Sequence, residues 1–229
     1  MGKARRFSGI LTAVLAFALG HPQAEAVPIL DQEMVIPTTN GANIGPWLGV
    51  YRMRGQTFVP SMSGQLASID MHLGRTTQTP WPVDVTLTVT ETTSGFPTGT
   101  PLGSALLELR GAWPEGGGSN QWYSFDLQGE GIHLDAGETY AFYASIPDMA
   151  SPPLDYGVIL YAVLGDHSAY PSGYAIETAD GGPWDTIWGD FHFRTFMELG
   201  TIPEPTTMSL LAAGLTAVRL RRKRRRNGR

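Results

Sequence analysis

The chain has 229 residues, with 28 Gly, 17 Pro, 42% hydrophobic and 16% charged residues, and no cysteine. That length fits one ordinary domain plus extensions, and Gly and Pro at this density suit short strands and tight turns. The composition excludes a coiled coil, a helical bundle and a polytopic membrane protein. Without cysteine there is no disulfide, Cys-ligated zinc, iron–sulfur cluster or thiol catalysis. Export remains open, because a domain of this size stands without disulfides. The formal net charge of −5 hides an uneven distribution. Lys3, Arg5 and Arg6 open the chain, and eight more basic residues crowd positions 219–229. Residues 27–205 hold five basic against twenty acidic residues, a net charge of −15, and no lysine. Such a body repels phosphate backbones, so nucleic-acid binding is not expected.

The first residues carry an address. Lys3-Ala4-Arg5-Arg6 is a basic region, residues 10–19 are apolar, and Gly20-His21-Pro22 breaks the run. Ala24-Glu25-Ala26 then supplies the small residues of an A-x-A cleavage site. This is the grammar of a secretory signal peptide over residues 1–26, cut after Ala26. The apolar run is short for a membrane span, which needs about 20 residues. Phe7 follows the arginine pair directly, so the general secretory machinery is expected rather than the twin-arginine route.

Residues 201–229 form a second address. Pro203-Glu204-Pro205 holds an extended segment open to an enzyme. Residues 208–218 are apolar and helix-compatible, and the Arg/Lys cluster after them stops transfer by the positive-inside rule. At about 1.5 Å rise per residue, that stretch falls short of the ~30 Å hydrocarbon core, so Arg219 and Arg221 must snorkel. The three parts in this order resemble the PEP-CTERM sorting signal of Gram-negative bacteria. The resemblance implies recognition and cutting near Pro203, Glu204 and Pro205 by an exosortase. It also implies transient anchoring in the inner membrane, then a final place at the cell surface or in the extracellular matrix. A plain single-span anchor that is never cut is the rival reading.

Between the addresses, residues 27–200 read as one domain of strands. Met71 and Leu73 continue an alternation begun at Ile69, with Asp70 and His72 between them. Residues 83–90 alternate strictly, Val83, Val85, Leu87 and Val89 against Asp84, Thr86, Thr88 and Thr90. Tyr123, Phe125 and Leu127 repeat the pattern, as do Tyr140, Phe142 and Ala144, and Phe191, Phe193 and Thr195. Period two with β-branched and aromatic residues predicts half-buried strands. Residues 157–164 are apolar on both faces and predict a strand deep in the core. Residues 92–99 and 114–118 are too rich in Gly, Pro, Ser and Thr to continue a strand and are expected to be loops. Gly129-Glu130-Gly131 and Asp135-Ala136-Gly137 are tight turns. The fold class expected is an all-β, antiparallel β-sandwich. The ordered series from Gln56-Thr57-Phe58 through Trp122-Tyr123-Ser124-Phe125 to Asp190-Phe191-His192-Phe193 also resembles secreted bacterial β-sandwich modules, jelly-roll-like in outline. A fold-level likeness does not fix function.

Catalytic motifs are scarce: there is no G-x-S-x-G, H-E-x-x-H or P-loop. Asp166-His167-Ser168 has triad residue types, but neighbours in sequence seldom converge as a triad, and a loop is the simpler reading. The body histidines His72, His133, His167 and His192 lack short ligand spacing. Twenty acids make some glycosidase-like pair inevitable by chance, so a hydrolase is only a third reading. Asp180, Asp185 and Asp190 lie around a Gly-rich loop where calcium is the one cofactor conceivable, against the alternative of a polar hairpin. Tyr170, Tyr174, Trp184 and Trp188 cluster before the last strand. Exposed aromatic faces stack on sugar rings, whereas part-buried ones cap a core, and both readings stand. The function expected is therefore an exported, non-catalytic matrix protein that binds exopolysaccharide through this cluster. The alternative is a purely structural surface or biofilm protein.

Overall fold

In the computed structural model of the chain, residues 26–35, 40–47, 50–75, 83–110, 121–146, 160–164 and 170–199 are described. Nearly all of them belong to one compact unit, Pro28–Gly200. The signal region up to residue 25, the sorting segment with Pro203, Glu204 and Pro205, the trio Asp166-His167-Ser168, and the tryptophans at 81 and 113 lie outside the described residues.

The described residues hold thirteen strands and one short 3₁₀ turn. The strands are β1 (Ile29–Met34), β2 (Asn40–Trp47), β3 (Val50–Phe58), β4 (Gly64–Arg75), β5 (Val83–Thr93), β6 (Phe96–Leu109) and β7 (Gln121–Asp126). They continue as β8 (His133–Leu134), β9 (Tyr140–Ser145), β10 (Leu160–Leu164), β11 (Ala175–Ala179), β12 (Asp185–Thr186) and β13 (Phe193–Glu198). Every pairing is antiparallel. The fold is the all-β antiparallel sandwich expected from the alternation.

One sheet is built on β4, which pairs with β13, β10, β7 and β8, while β1 lies outside β13. The other runs β6-β5-β9-β3, with β11 and then β12 beyond β3. Strand β2 joins the two: residues 40–44 pair with β10, and residues 45–47 pair with β3. The change of sheet falls at Gly45, whose φ of 87° favours glycine. A Cβ there would also press on Ile146 Cδ1 at 2.8 Å.

The alternating residues meet between the sheets. Ile69, Met71 and Leu73 of β4, Phe125 of β7 and Phe193 of β13 face Val85, Leu87 and Val89 of β5, Phe142 of β9 and Phe58 of β3, all buried. Phe193 is the plug: its ring centroid lies 5.3 Å from Phe142, 6.3 Å from Phe58 and 5.2 Å from Tyr170. A buried Phe contributes about 1.5–3 kcal/mol by area alone, and here it also couples the layers.

One loop expectation changes. Residues 92–99 are not a long loop. Strands β5 and β6 run to their tip, and only Ser94 and Gly95 turn, with φ of 55° and 83°. Positive φ at both central residues is the requirement of a two-residue I′ hairpin. Pro97 and Pro101 sit within β6 because β6 is outermost in its sheet, where a missing N–H costs no ladder bond. The expectation for residues 114–118 lies outside the described residues. The apolar run 157–164 yields β10 at Leu160–Leu164, beside β4 and β2.

Phe193→Ala is expected to cost about 3–5 kcal/mol. Urea unfolding of the protein checks it; a loss below about 1 kcal/mol would mean that the two layers do not meet on this ring.

Candidate functional site

The stretch 170–190 contains most of the residues singled out from the sequence, and the structure divides them. Strands β11 and β12 form a hairpin, with Ile176 opposite Thr186 and Glu177 opposite Asp185. At its base, Ile187 N–H donates to the Ala175 carbonyl at 3.0 Å. Tyr174 and Trp188 stand one residue beyond that bond, just outside the two strands. Asp180 and Trp184 belong to the opposite, turn end.

Tyr170 is a core residue, the second of the two readings open for these aromatics. It is 7% exposed. Its hydroxyl accepts from Val59 N–H at 3.2 Å and its ring meets Phe193 edge-on. Burial raises the phenol pKa, with the hydrogen bond from Val59 opposing. Tyr174 is half-buried: its hydroxyl donates to the Gly95 carbonyl at 2.8 Å, bridging to the β5–β6 turn. It lines an open cleft of about 380 Å³ with Thr57, Thr92, Thr139 and Ser172. Trp184 rests on Tyr143 of β9, ring centroids 5.0 Å apart. Trp188 alone of the four is broadly exposed, at 58%.

The three aspartates do not converge. Asp180 Oδ1 accepts from Tyr51 N–H at 2.7 Å, and Asp180 N–H donates to Tyr51 O at 2.7 Å. This carboxylate caps the β11 turn onto β3, at a φ of 53°. Asp185 is exposed and accepts from the next backbone N–H, that of Thr186, at 2.8 Å. Asp190 is buried, accepting from Gln56 Nε2 at 2.9 Å and from Tyr170 N–H at 3.2 Å. Gln56 Oε1 in turn accepts from Phe191 N–H at 3.0 Å. Among the described residues no group of three His, Asp or Glu side chains is placed to hold a metal ion. The three carboxylates named for calcium thus stand apart, each bonded to backbone or to Gln56.

Two side-chain groups were not singled out from the sequence. On the outer face of the β4 sheet, the His72 ring stacks on Trp122 at 5.0 Å and on His192 at 5.7 Å. The Arg194 guanidinium lies 4.1 Å over the same tryptophan and bonds Glu33 at 2.7 Å. The polar parity of His72 was legible, but its neighbours depend on pairing register. The second group joins β3 and β11. Arg54 Nη2 lies 2.7 Å from Glu177 Oε2, and Arg52 Nη1 lies 3.2 Å from the same carboxylate oxygen. The i, i+2 spacing of Arg52 and Arg54 put both on one strand face; their shared acid, 123 residues away from Arg54, had no local signal.

Residues 201–225 match the family model of the PEP-CTERM protein-sorting motif. No curated protein matches the chain. The motif implies an exosortase-sorted protein exported to the surface or the extracellular space, and it bears out the reading of Pro203, Glu204 and Pro205 as part of a sorting signal.

His192 is buried, with neither ring nitrogen bonded among the described residues. Burial pushes its pKa down from 6.5 to about 4, and His72 acts in the same direction. The unfolded chain therefore takes up this proton first. The stability tied to neutral His192 is full above pH 6.5 and is lost as pH falls towards about 4. Urea midpoints across that window should fall more steeply for the natural protein than for His192→Gln; equal slopes would remove the assignment.

Proposed function

We propose that the folded body is a non-catalytic module that works in the extracellular matrix by binding polysaccharide along the β11–β12 hairpin. The observation that carries the reading is the sorting motif at residues 201–225, attached to an acidic all-β body. Export to the outside places such a body among the cell's own glycans. Trp188 supplies an exposed ring at the hairpin base, and Tyr174, on the other chain of that base, lines an open cleft. An apolar ring face against sugar C–H groups, with hydroxyls beside it, is the chemistry that recognises a pyranose. Trp184, half-covered by Tyr143, offers a smaller face at the other end of the hairpin.

A purely structural role is favoured by a different observation. Val27, Ile29, Leu30, Val35 and Leu199 are exposed apolar residues on or beside the edge strand β1. Apolar residues exposed along a sheet edge suit association between copies or with other matrix components.

Tryptophan fluorescence of the exported protein, titrated with the exopolysaccharide of the producing bacterium, separates the two. Saturable quenching is expected, with Trp188→Ala weakening affinity by about tenfold or more, on the order of 1.4 kcal/mol. Tyr170→Phe should leave affinity unchanged, because that ring is inside. Absence of quenching together with concentration-dependent self-association would favour the structural role, and release of sugar from the polysaccharide would overturn the non-catalytic reading.

A further inference from the structure

We propose that the polysaccharide held by the body is an uncharged one, taken at the cleft between the β5–β6 turn and the segment that leads into β11. The inference rests on the polysaccharide-binding reading above and names its substrate class.

The argument begins with the donors and acceptors of the cleft. It has a volume of about 380 Å³, within the range of roughly 300–1,000 Å³ that small-ligand sites occupy. Its polar side chains are all hydroxyls, from Thr57, Thr92, Thr139, Ser172 and Tyr174, and no charged residue lines it. Three of the five are committed as donors. Thr57 Oγ1 donates to the Tyr174 carbonyl at 3.3 Å, Thr92 Oγ1 to the Thr139 carbonyl at 2.9 Å, and the Tyr174 hydroxyl to the Gly95 carbonyl at 2.8 Å. Thr57 Oγ1 also accepts from Tyr174 N–H at 2.9 Å. The oxygens of Thr92 and Tyr174 keep lone pairs to accept with. Thr139 and Ser172 are exposed, and their hydroxyls make no hydrogen bond among the described residues.

The cleft thus offers two free donors and at least as many free acceptors. A sugar hydroxyl both donates and accepts, so it can use both kinds. An ionised carboxylate accepts only. It would find two neutral donors and would face the acceptor oxygens with nothing to give them.

Charge points the same way. Residues 27–205 carry five arginines, no lysine and twenty acids. The four arginines whose side chains are described are each paired with acids: Arg52 and Arg54 with Glu177, Arg110 with Asp84 and Glu108, Arg194 with Glu33. None of them lines the cleft. Glu91 and Glu138 directly precede Thr92 and Thr139 in the chain, and both are exposed. An anionic polymer entering here meets repulsion that no cation of the cleft offsets. An uncharged polymer meets none.

The test uses the purified exported protein and the exopolysaccharide of the producing bacterium, split by anion exchange into uncharged and acidic fractions. Calorimetric titration is expected to show the uncharged fraction binding at least about tenfold tighter, with an affinity that does not move as salt rises. Thr139→Val and Ser172→Ala should each weaken that binding about threefold or more. Neither should shift the thermal midpoint, because neither hydroxyl is bonded within the fold. Glu91→Gln combined with Glu138→Gln should strengthen binding of the acidic fraction and leave the uncharged one as it was. Tighter binding of the acidic fraction, weakening as salt rises, would overturn the uncharged assignment and leave the polysaccharide reading standing. Binding of the uncharged fraction that neither hydroxyl variant weakens would overturn the cleft as its place. Binding of neither fraction would overturn this inference and the polysaccharide reading together.

Discussion

A buried polar bridge holds the candidate site to the sandwich. Gln56 of β3, in one sheet, donates to Asp190 and accepts from Phe191 N–H on the approach to β13 in the other sheet. Asp190 also fixes the backbone of Tyr170, at the start of the segment that leads into β11. These groups are buried, and a buried carboxylate or amide without partners would cost several kcal/mol. The bridge therefore admits one arrangement of the two sheets and of the 170–190 segment. Phe193 follows directly and fills the space between the layers against Phe58 and Phe142. Hydrophobic burial supplies the stabilisation there, while the polar bridge supplies the register.

The same constraint explains why the aromatic cluster of the sequence does not act as one surface. Tyr170 is drawn inside with Asp190. Tyr174 is tied by its hydroxyl to the β5–β6 turn, and its backbone N–H donates to Thr57 Oγ1 at 2.9 Å. Gly173 beneath it packs so closely on the Thr57 backbone that no Cβ would fit. The hairpin carries Trp184 near its turn and the exposed Trp188 at its base. The acids that looked like a calcium loop serve the same anchoring: Asp180 pins the turn to Tyr51.

Charge follows its own pattern. The acids are spread over strand faces and turns, while the described arginines are each bound to acids from other strands. Glu177 with two arginines is the exception in stoichiometry. An acidic module keeps itself in solution by self-repulsion.

Much of this protein was legible in residue order. Alternation is a local property, because successive side chains of a strand point to opposite faces. It located β4, β5, β7, β9 and β13 and most of the core between them. The sorting signal is likewise linear, since the motif, apolar stretch and basic cluster are read in sequence order, and the family match covers that segment. The β5–β6 hairpin was missed because Pro97, Pro101 and Gly99 look like breakers until β6 is known to be outermost. Which acid meets which arginine, which tyrosine turns inward and which histidines stack were decided by tertiary structure alone. Arg54 and Glu177, or Gln56 and Asp190, are more than a hundred residues apart. Their meeting is set by strand order and register, which depend on how every strand pairs at once. Period and composition act within a few residues; contacts made across β3, β11 and the approach to β13 exist only after the sheets have closed.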